Sequence, residues 1–185
     1  MTQLCDEIEG TRVARMWPPA TDTRRRRPVQ VRPFRPTDRD AVLRMHARCS
    51  RETRSCRWLA PLPDFPLSYL RSLLAGTADH IAVVAVADTQ PSEVIGLASA
   101  ALTSDGSWEL AALVEDRFQA QGSGGLMIDR LIELIGPTEP LCAYAFTENC
   151  WLLGRLARFG TLKISHDTGV SHATVDRGPT KAESR

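Results

Sequence analysis

The sequence predicts a single mixed α/β domain. Two continuous apolar runs, Ile81–Ala87 and Val94–Leu102, have the composition of strands buried on both faces. A third run, Trp108–Val114, follows the hairpin signal Ser104-Asp105-Gly106-Ser107 and leads through a glycine-rich loop into an apolar-periodic helix. The 185 residues suffice for one domain with a real core, and 43% hydrophobic and 24% charged residues are ordinary for a globular protein.

The elements follow in order. Residues 1–28 read as a disordered N-terminal tail, with Pro18-Pro19 and the run Arg24–Arg27, and Met16 is an alternative start. The domain spans 29–177, and 178–185 form a polar C-terminal tail. Gln30–Arg35 reads as the first strand. Thr37 stands before Asp40 at capping-box spacing, and Val42, Met45 and Cys49 share one face of the helix that follows. His46 lies beside that face and is read as a packed histidine. Ser50 can cap a second helical piece through Trp58. Pro61, Pro63 and Pro66 interrupt it, and Leu67–Ala75 resumes as helix. After the three central strands come a helix over Ser123–Ile135, a strand over Leu141–Phe146 and a helix over Asn149–Phe159. Leu162–His166 and His172–Val175 close the domain as a hairpin around Gly169. The expected order is β-α-α-β-β-β-α-β-α-β-β.

Composition also bounds function. A net charge of +1 gives no global attraction to nucleic acid or membrane. The arginine run of the tail is read as a solvated arm, so a nucleic-acid partner is not expected. No apolar run reaches membrane-spanning length, and no apolar leader opens the chain. Cys5, Cys49, Cys56, Cys142 and Cys150 are odd in number with no C-x-x-C pair, which argues for free thiols, no zinc site and a cytoplasmic protein.

The chemistry centres on Val114–Asp129. Gln119, Gly122 and Gly124 fit Q-x-x-G-x-G at a strand-to-helix turn. Such glycines let backbone N–H groups converge on one spot, where the helix N-terminus adds partial positive charge. That arrangement suits a phosphate or pyrophosphate. No Lys follows the glycines, so this is no Walker loop. The third glycine of G-x-G-x-x-G would fall at Met127, so it is no Rossmann fingerprint. A second motif, Glu148-Asn149-Cys150-Trp151, starts a helix and is followed by Gly160.

Together these segments resemble the GNAT N-acetyltransferases, whose acetyl-CoA loop reads [RQ]-x-x-G-x-[GA] and whose later segment reads N-x-x-A-x-x-L-Y-x-x-x-G-F. The resemblance covers about residues 30–177 and is closest in spirit to bacterial protein-lysine acetyltransferase domains. It implies the GNAT fold: a mixed sheet of about seven strands flanked by helices and splayed where the cosubstrate inserts. It implies that the amides of Gln121, Gly122, Ser123, Gly124 and Gly125, in the loop opened by Gln119, hold the pyrophosphate of acetyl-CoA. The pantetheine would pair with Ala112, Leu113 and Val114, and the Leu113 N–H would polarise the thioester carbonyl. Asn149 either contacts the pantetheine or caps its helix.

A protonated amine must lose a proton before attacking a thioester. Glu109, ten residues before Gln119, is the expected base or else a solvent-facing glutamate. Alternation sets Glu109, Ala111 and Leu113 on one face and Trp108, Leu110 and Ala112 on the other. Glu115 and Asp116 are read as solvated acids. Leu156 stands where many members carry a tyrosine that protonates the leaving thiolate, and Thr161 replaces the usual Phe; Tyr144 is a fallback donor. Arg51, Arg54, Arg57 and Trp58 lie in the segment that covers the acceptor cleft in this family, as solvated helix surface or as contacts to an anionic acceptor. The implied activity is acetyl transfer to an amine, a small molecule or a protein lysine, by direct attack in a ternary complex. The alternative is a non-catalytic acyl-CoA-binding module. The protein is expected as a monomer or homodimer.

Overall fold

The computed structural model describes residues 29–88, 90–149 and 151–178; the expected N-terminal tail and nearly all of the C-terminal one lie outside them. The elements are β1 (Val29–Pro33), α1 (Arg39–Arg48), α2 (Arg51–Trp58), α3 (Leu67–Ala75), β2 (His80–Ala87), β3 (Gln90–Leu102), β4 (Trp108–Val114), α4 (Ser123–Ile135), β5 (Leu141–Phe146), α5 (Trp151–Leu156), β6 (Thr161–Asp167) and β7 (Val170–Asp176). They build one mixed seven-stranded sheet, ordered β1-β2-β3-β4-β5-β7-β6. All neighbours are antiparallel except β4 and β5. Among the described residues no helix is long and apolar enough to cross a membrane.

Two cores cover the two faces. Met127, Ile128, Leu131 and Ile132 of α4 and Leu152, Leu153 and Leu156 of α5 pack on one face with Val83, Ile95, Trp108 and Leu110. Val42 and Met45 of α1 and Leu70 and Leu73 of α3 pack on the other with Val84, Val86, Leu97 and Leu113. The long apolar runs of β2 and β3 follow directly, because each strand buries both of its faces.

Several local expectations shift. The capping pair expected of Thr37 and Asp40 does not start α1. Pro36 opens a 3-10 turn one residue earlier, and the Asp38 carboxylate accepts the Arg35 N–H at 2.8 Å and both guanidinium nitrogens of Arg32 at 2.7 Å. Ser50 does cap α2, accepting from the Thr53 N–H at 3.1 Å. Leu59, at φ 51°, ends that helix at Trp58 as expected, and Leu67–Ala75 follows as its own helix, so the element order gains one helix over the expected one. Helix α5 is shorter than the expected Asn149–Phe159. The β6–β7 hairpin turns through Thr168 and Gly169 at φ 45° and 84°, two consecutive left-handed residues of the kind that match strand twist.

Gly160 of the second motif is held by packing. A Cβ there would stand 2.3 Å from the Asp176 carbonyl oxygen and 2.9 Å from Val175 Cγ1. The nearest obstacle is backbone, which no rotamer change relieves. Gly160→Ala is therefore expected to cost about 3 kcal/mol, or roughly 6–12 °C of Tm in a domain of this size, read by thermal denaturation.

Candidate functional site

The β4–β5 junction organises the site. Pairing there is limited to Trp108 with Leu141 and Glu109 with Cys142. Beyond that, β4 continues along β3 alone to the Gly96–Val114 pair. The sheet thus opens between β4 and β5, closed at Glu109 and open toward Val114. This is the splay the sequence led us to expect.

Strand alternation decides which backbone groups face the opening. The Trp108 N–H points to β5, bonding Pro140 O at 2.8 Å, whereas the Glu115 N–H points to β3, bonding Ile95 O at 2.9 Å. Successive residues of a strand direct their N–H and C=O to opposite sides. Leu110, Ala112 and Val114 therefore face the splay. Glu109, Ala111 and Leu113 face β3, with Leu113 in register with Leu97. The Leu113 amide thus lies on the wrong edge for the polarising role expected of it. Ala112 is the first amide of the outward set beyond the β4–β5 ladder.

At the open end the chain passes through a 3-10 turn, Asp116–Phe118, and into α4. Ala120 and Gly122 take left-handed φ values of 57° and 90°. Nothing lies within 4 Å of where a Cβ on Gly122 would stand, so the loop is open to solvent there. Gly124 and Gly125 serve a different end. A Cβ on Gly124 would stand 3.0 Å from the Trp151 ring, and one on Gly125 would stand 2.9 Å from the Arg155 guanidinium carbon. These two glycines let α5 approach the first turn of α4. Arg155 is itself paired with Asp129. The first amides of α4 have no partner within the helix, and the Ser123 hydroxyl is buried without one. These donors suit a bound pyrophosphate.

The polar side chains of the loop act as a clasp. Gln119 Nε2 donates to Val114 O at 2.9 Å and Thr53 Oγ1 at 3.0 Å, so its carboxamide ties β4 to α2. Gln121 Nε2 donates to Arg117 O at 2.9 Å. Asp116 accepts from Ser50 N–H at 2.8 Å, Ser50 Oγ at 2.7 Å and Thr53 Oγ1 at 2.8 Å. Glu115 is only 3% exposed and pairs with Arg48 and Arg117, which also reach Glu93. The reading of Glu115 and Asp116 as solvated acids is thus corrected for Glu115, which is buried; Asp116 is exposed as expected but also holds the loop, because Arg48, Ser50 and Thr53, 63 or more residues away in sequence, supply donors to the two acids.

Burial opposes ionisation of Asp116, but the bonds from Ser50 and Thr53 outweigh it and hold the carboxyl below its usual range. Because the folded value is the lower one, the clasp stabilises above about pH 3.9 and is lost as pH falls through the folded value. Asp116→Ala is expected to speed amide hydrogen exchange in 51–54 and 119–122 at neutral pH. The wild type should show this only on acidification below about pH 4.

Glu109 is exposed although it lies on a central strand. Its lateral neighbours Ala101 and Cys142 are small, as is Ala111 along the strand. It stands among these small side chains on the α1–α3 face of the sheet, where α2 lies across β4 and reaches β5. Tyr144, 43% exposed, follows Cys142 on the same face of β5 and stacks on His172, ring centroids 4.2 Å apart. Leu156 is fully buried and offers no proton donor. Asn149 is half-buried, and its backbone N–H bonds Phe146 O at 2.8 Å. Burial, with help from Asp116, pushes the Cys49 thiol up to about 12; burial, with help from Glu109, pushes the Cys142 thiol up to about 11. Neither is a nucleophile at neutral pH. His46 is buried, accepts from Trp58 Nε1 at 3.1 Å, and is held below its ordinary value mainly by burial.

Arg57, expected with Arg54 and Trp58 as helix surface or as a contact to an anionic acceptor, stands over two residues that sequence reasoning missed, Tyr69 and Ser99. Arg54 Nη1 bonds Pro63 O at 2.6 Å. Arg57 lies over the Trp58 and Tyr69 rings. Tyr69 donates to Ser99 Oγ at 2.5 Å. The one available signal was Ser99, a hydroxyl within the otherwise apolar run Val94–Leu102.

No protein-family model matches the chain, and no curated protein matches it in sequence. Solved structures do match. The GNAT domain of S. lividans PAT shares 19% identity at TM-score 0.69, over 80% of this chain and 90% of that one. A phosphinothricin acetyltransferase from Sinorhizobium meliloti, in complex with AcCoA, shares 14% identity at TM-score 0.65, over 84% and 92%. A spermidine N-acetyltransferase from Vibrio cholerae, in complex with CoA and spermine, shares 14% at TM-score 0.59, over 80% and 95%. The chain has the fold of the GNAT-superfamily acetyltransferases.

Proposed function

We propose that this chain is an N-acetyltransferase that moves the acetyl group of acetyl-CoA to an amine. The observation that carries the reading is the arrangement along one strand. An exposed carboxylate, Glu109, stands at the closed end of the β4–β5 splay, and a cradle of unpaired helix-N-terminal amides stands at its open end. The AcCoA and CoA held by neighbours of the same fold support it.

The amides of Gln121, Gly122, Ser123, Gly124 and Gly125 would hold the pyrophosphate, with the buried Ser123 hydroxyl as a further donor. Gln119 acts by shaping the loop, since its carboxamide is engaged by Val114 and Thr53. The pantetheine would run along the free edge of Ala112–Val114, with Asn149 flanking it. The Ala112 N–H, aimed at the splay, is the donor suited to the negative charge that develops on the thioester oxygen. Glu109, directly or through a water, would take the proton from the acceptor ammonium so that the free amine attacks. The amine nitrogen bonds to the carbonyl carbon, the carbon–sulfur bond breaks, the thiolate leaves, and the excess proton on nitrogen passes to the thiolate or to water. A thiol of ordinary pKa, about 8.5, leaves without an obligatory acid, which fits the absence of a donor at Leu156; Tyr144 is the fallback donor. The burial of Cys49 and Cys142 fits direct transfer and a cytoplasmic setting.

Buried Leu156 favours one other reading, an acyl-CoA-binding module without turnover. Calorimetry with acetyl-CoA and free-thiol release over an amine panel separate the two. Micromolar binding with amine-dependent thiol release is the expected result. Binding with no release would leave the module. No binding would remove both.

A further inference from the structure

On α2, beside the Glu109 face, one positive charge has no counter-ion among the described residues. Arg57 presents its guanidinium carbon 4.1 Å from the Trp58 ring centroid and 4.9 Å from that of Tyr69. Its one polar contact is Nη2 to Ser99 Oγ, at a long 3.4 Å. Among the described residues no carboxylate lies within ion-pair distance of it. The other inward arginines differ: Arg32, Arg48 and Arg155 meet carboxylates, and Arg54 and Arg177 meet backbone carbonyls. Rings hold the faces of a stacked guanidinium and leave its N–H edge for a planar anion.

A second atom without a partner lies near it. His80 Nε2 is buried with no hydrogen-bond partner, and its ring meets Tyr69 edge-on at 5.3 Å. His80, Ala101 and Glu109 are register partners across β2, β3 and β4, so they form one row on one face. The alanine leaves open space between histidine and glutamate. Ser99, under Arg57, is the diagonal neighbour of Glu109, about 7–8 Å away at Cα. This face is therefore dipolar over a short span. It has a carboxylate at one pole, and a guanidinium with an imidazole whose Nε2 is unpartnered at the other.

We propose that the acceptor is a compact amino acid, whose amine turns to Glu109 and whose carboxylate is held by Arg57. This deepens the acetyltransferase reading and rests on it. A polyamine would place a second cation against Arg57. A lysine side chain inside a peptide carries no carboxylate near its amine.

The test uses the full chain with acetyl-CoA and reads free thiol. Free α-amino acids are compared with their carboxamides, with a polyamine and with a lysine peptide. The expected result is a kcat/KM at least about tenfold higher for the acids than for their amides, carried mainly by KM, as loss of a charged hydrogen bond implies. Arg57→Met should bring that ratio close to one, and Arg57→Lys should keep part of it, while calorimetric acetyl-CoA affinity certifies the fold of both. Amides or lysine peptides used as well as acids by the wild type would overturn the acceptor assignment alone, as would a ratio that survives Arg57→Met. Failure of every amine would take the acetyltransferase reading down with it.

Discussion

Glu109→Gln is expected to lower kcat for amine acetylation by about 100-fold or more, the usual contribution of a positioned base. The amide keeps the shape and loses the proton acceptor. Acetyl-CoA affinity should hold, because Glu109 lies at the closed end of the splay and the α4 amides lie at the other. The pH profile separates this role from a structural one. An aliphatic amine has a pKa near 10.4, so without a base the reactive fraction grows about tenfold per pH unit. The variant should therefore gain on the wild type as pH rises. A variant that turns over like wild type at pH 7 would remove Glu109 from the mechanism. A uniform loss at every pH, with weakened acetyl-CoA binding, would make the residue structural.

That a single strand residue can be singled out reflects what the sequence carries. Local patterns were legible. The limits of α3, β4, α4 and β5 match, because apolar period, proline stops and the glycine loop are all local signals. Leu97 and Leu113 face one core and Trp108 and Leu110 the other, as alternation requires. What stayed hidden was pairing. Glu115 and Asp116 read as two adjacent loop acids, yet their partners Arg48, Ser50 and Thr53 belong to helices that only the fold brings near. Arg57 read either as helix surface or as a contact to an anionic acceptor, and the choice stayed open for the same reason: nothing local records that Tyr69, Ser99 and His80 converge beneath it. The edge to which a strand amide points is likewise invisible without knowing which neighbour bonds which residue.

That last distinction yields the second large effect. Proline at position 112 or 113 removes one N–H from β4, and the two outcomes should differ in kind. Ala112 faces the splay, so Ala112→Pro leaves the β3–β4 ladder intact. Ala111 before it is already extended, as a residue preceding proline must be. The loss falls on the polarising amide, and removal of one such donor typically costs about 100- to 1000-fold in kcat. Leu113 faces β3 in register with Leu97, so Leu113→Pro deletes a ladder bond inside a buried strand. Its expected effect is on the fold: about 3 kcal/mol or more, read as a lowered Tm. Single-turnover acetylation and thermal denaturation on the same pair of variants give the answer. A folded, acetyl-CoA-binding Ala112→Pro that still acetylates amines at the wild-type rate would rule out that amide. If Leu113→Pro instead kept its stability and lost only turnover, the alternation drawn from Trp108 and Glu115 would be out of step by one residue. The polarising amide would then return to position 113.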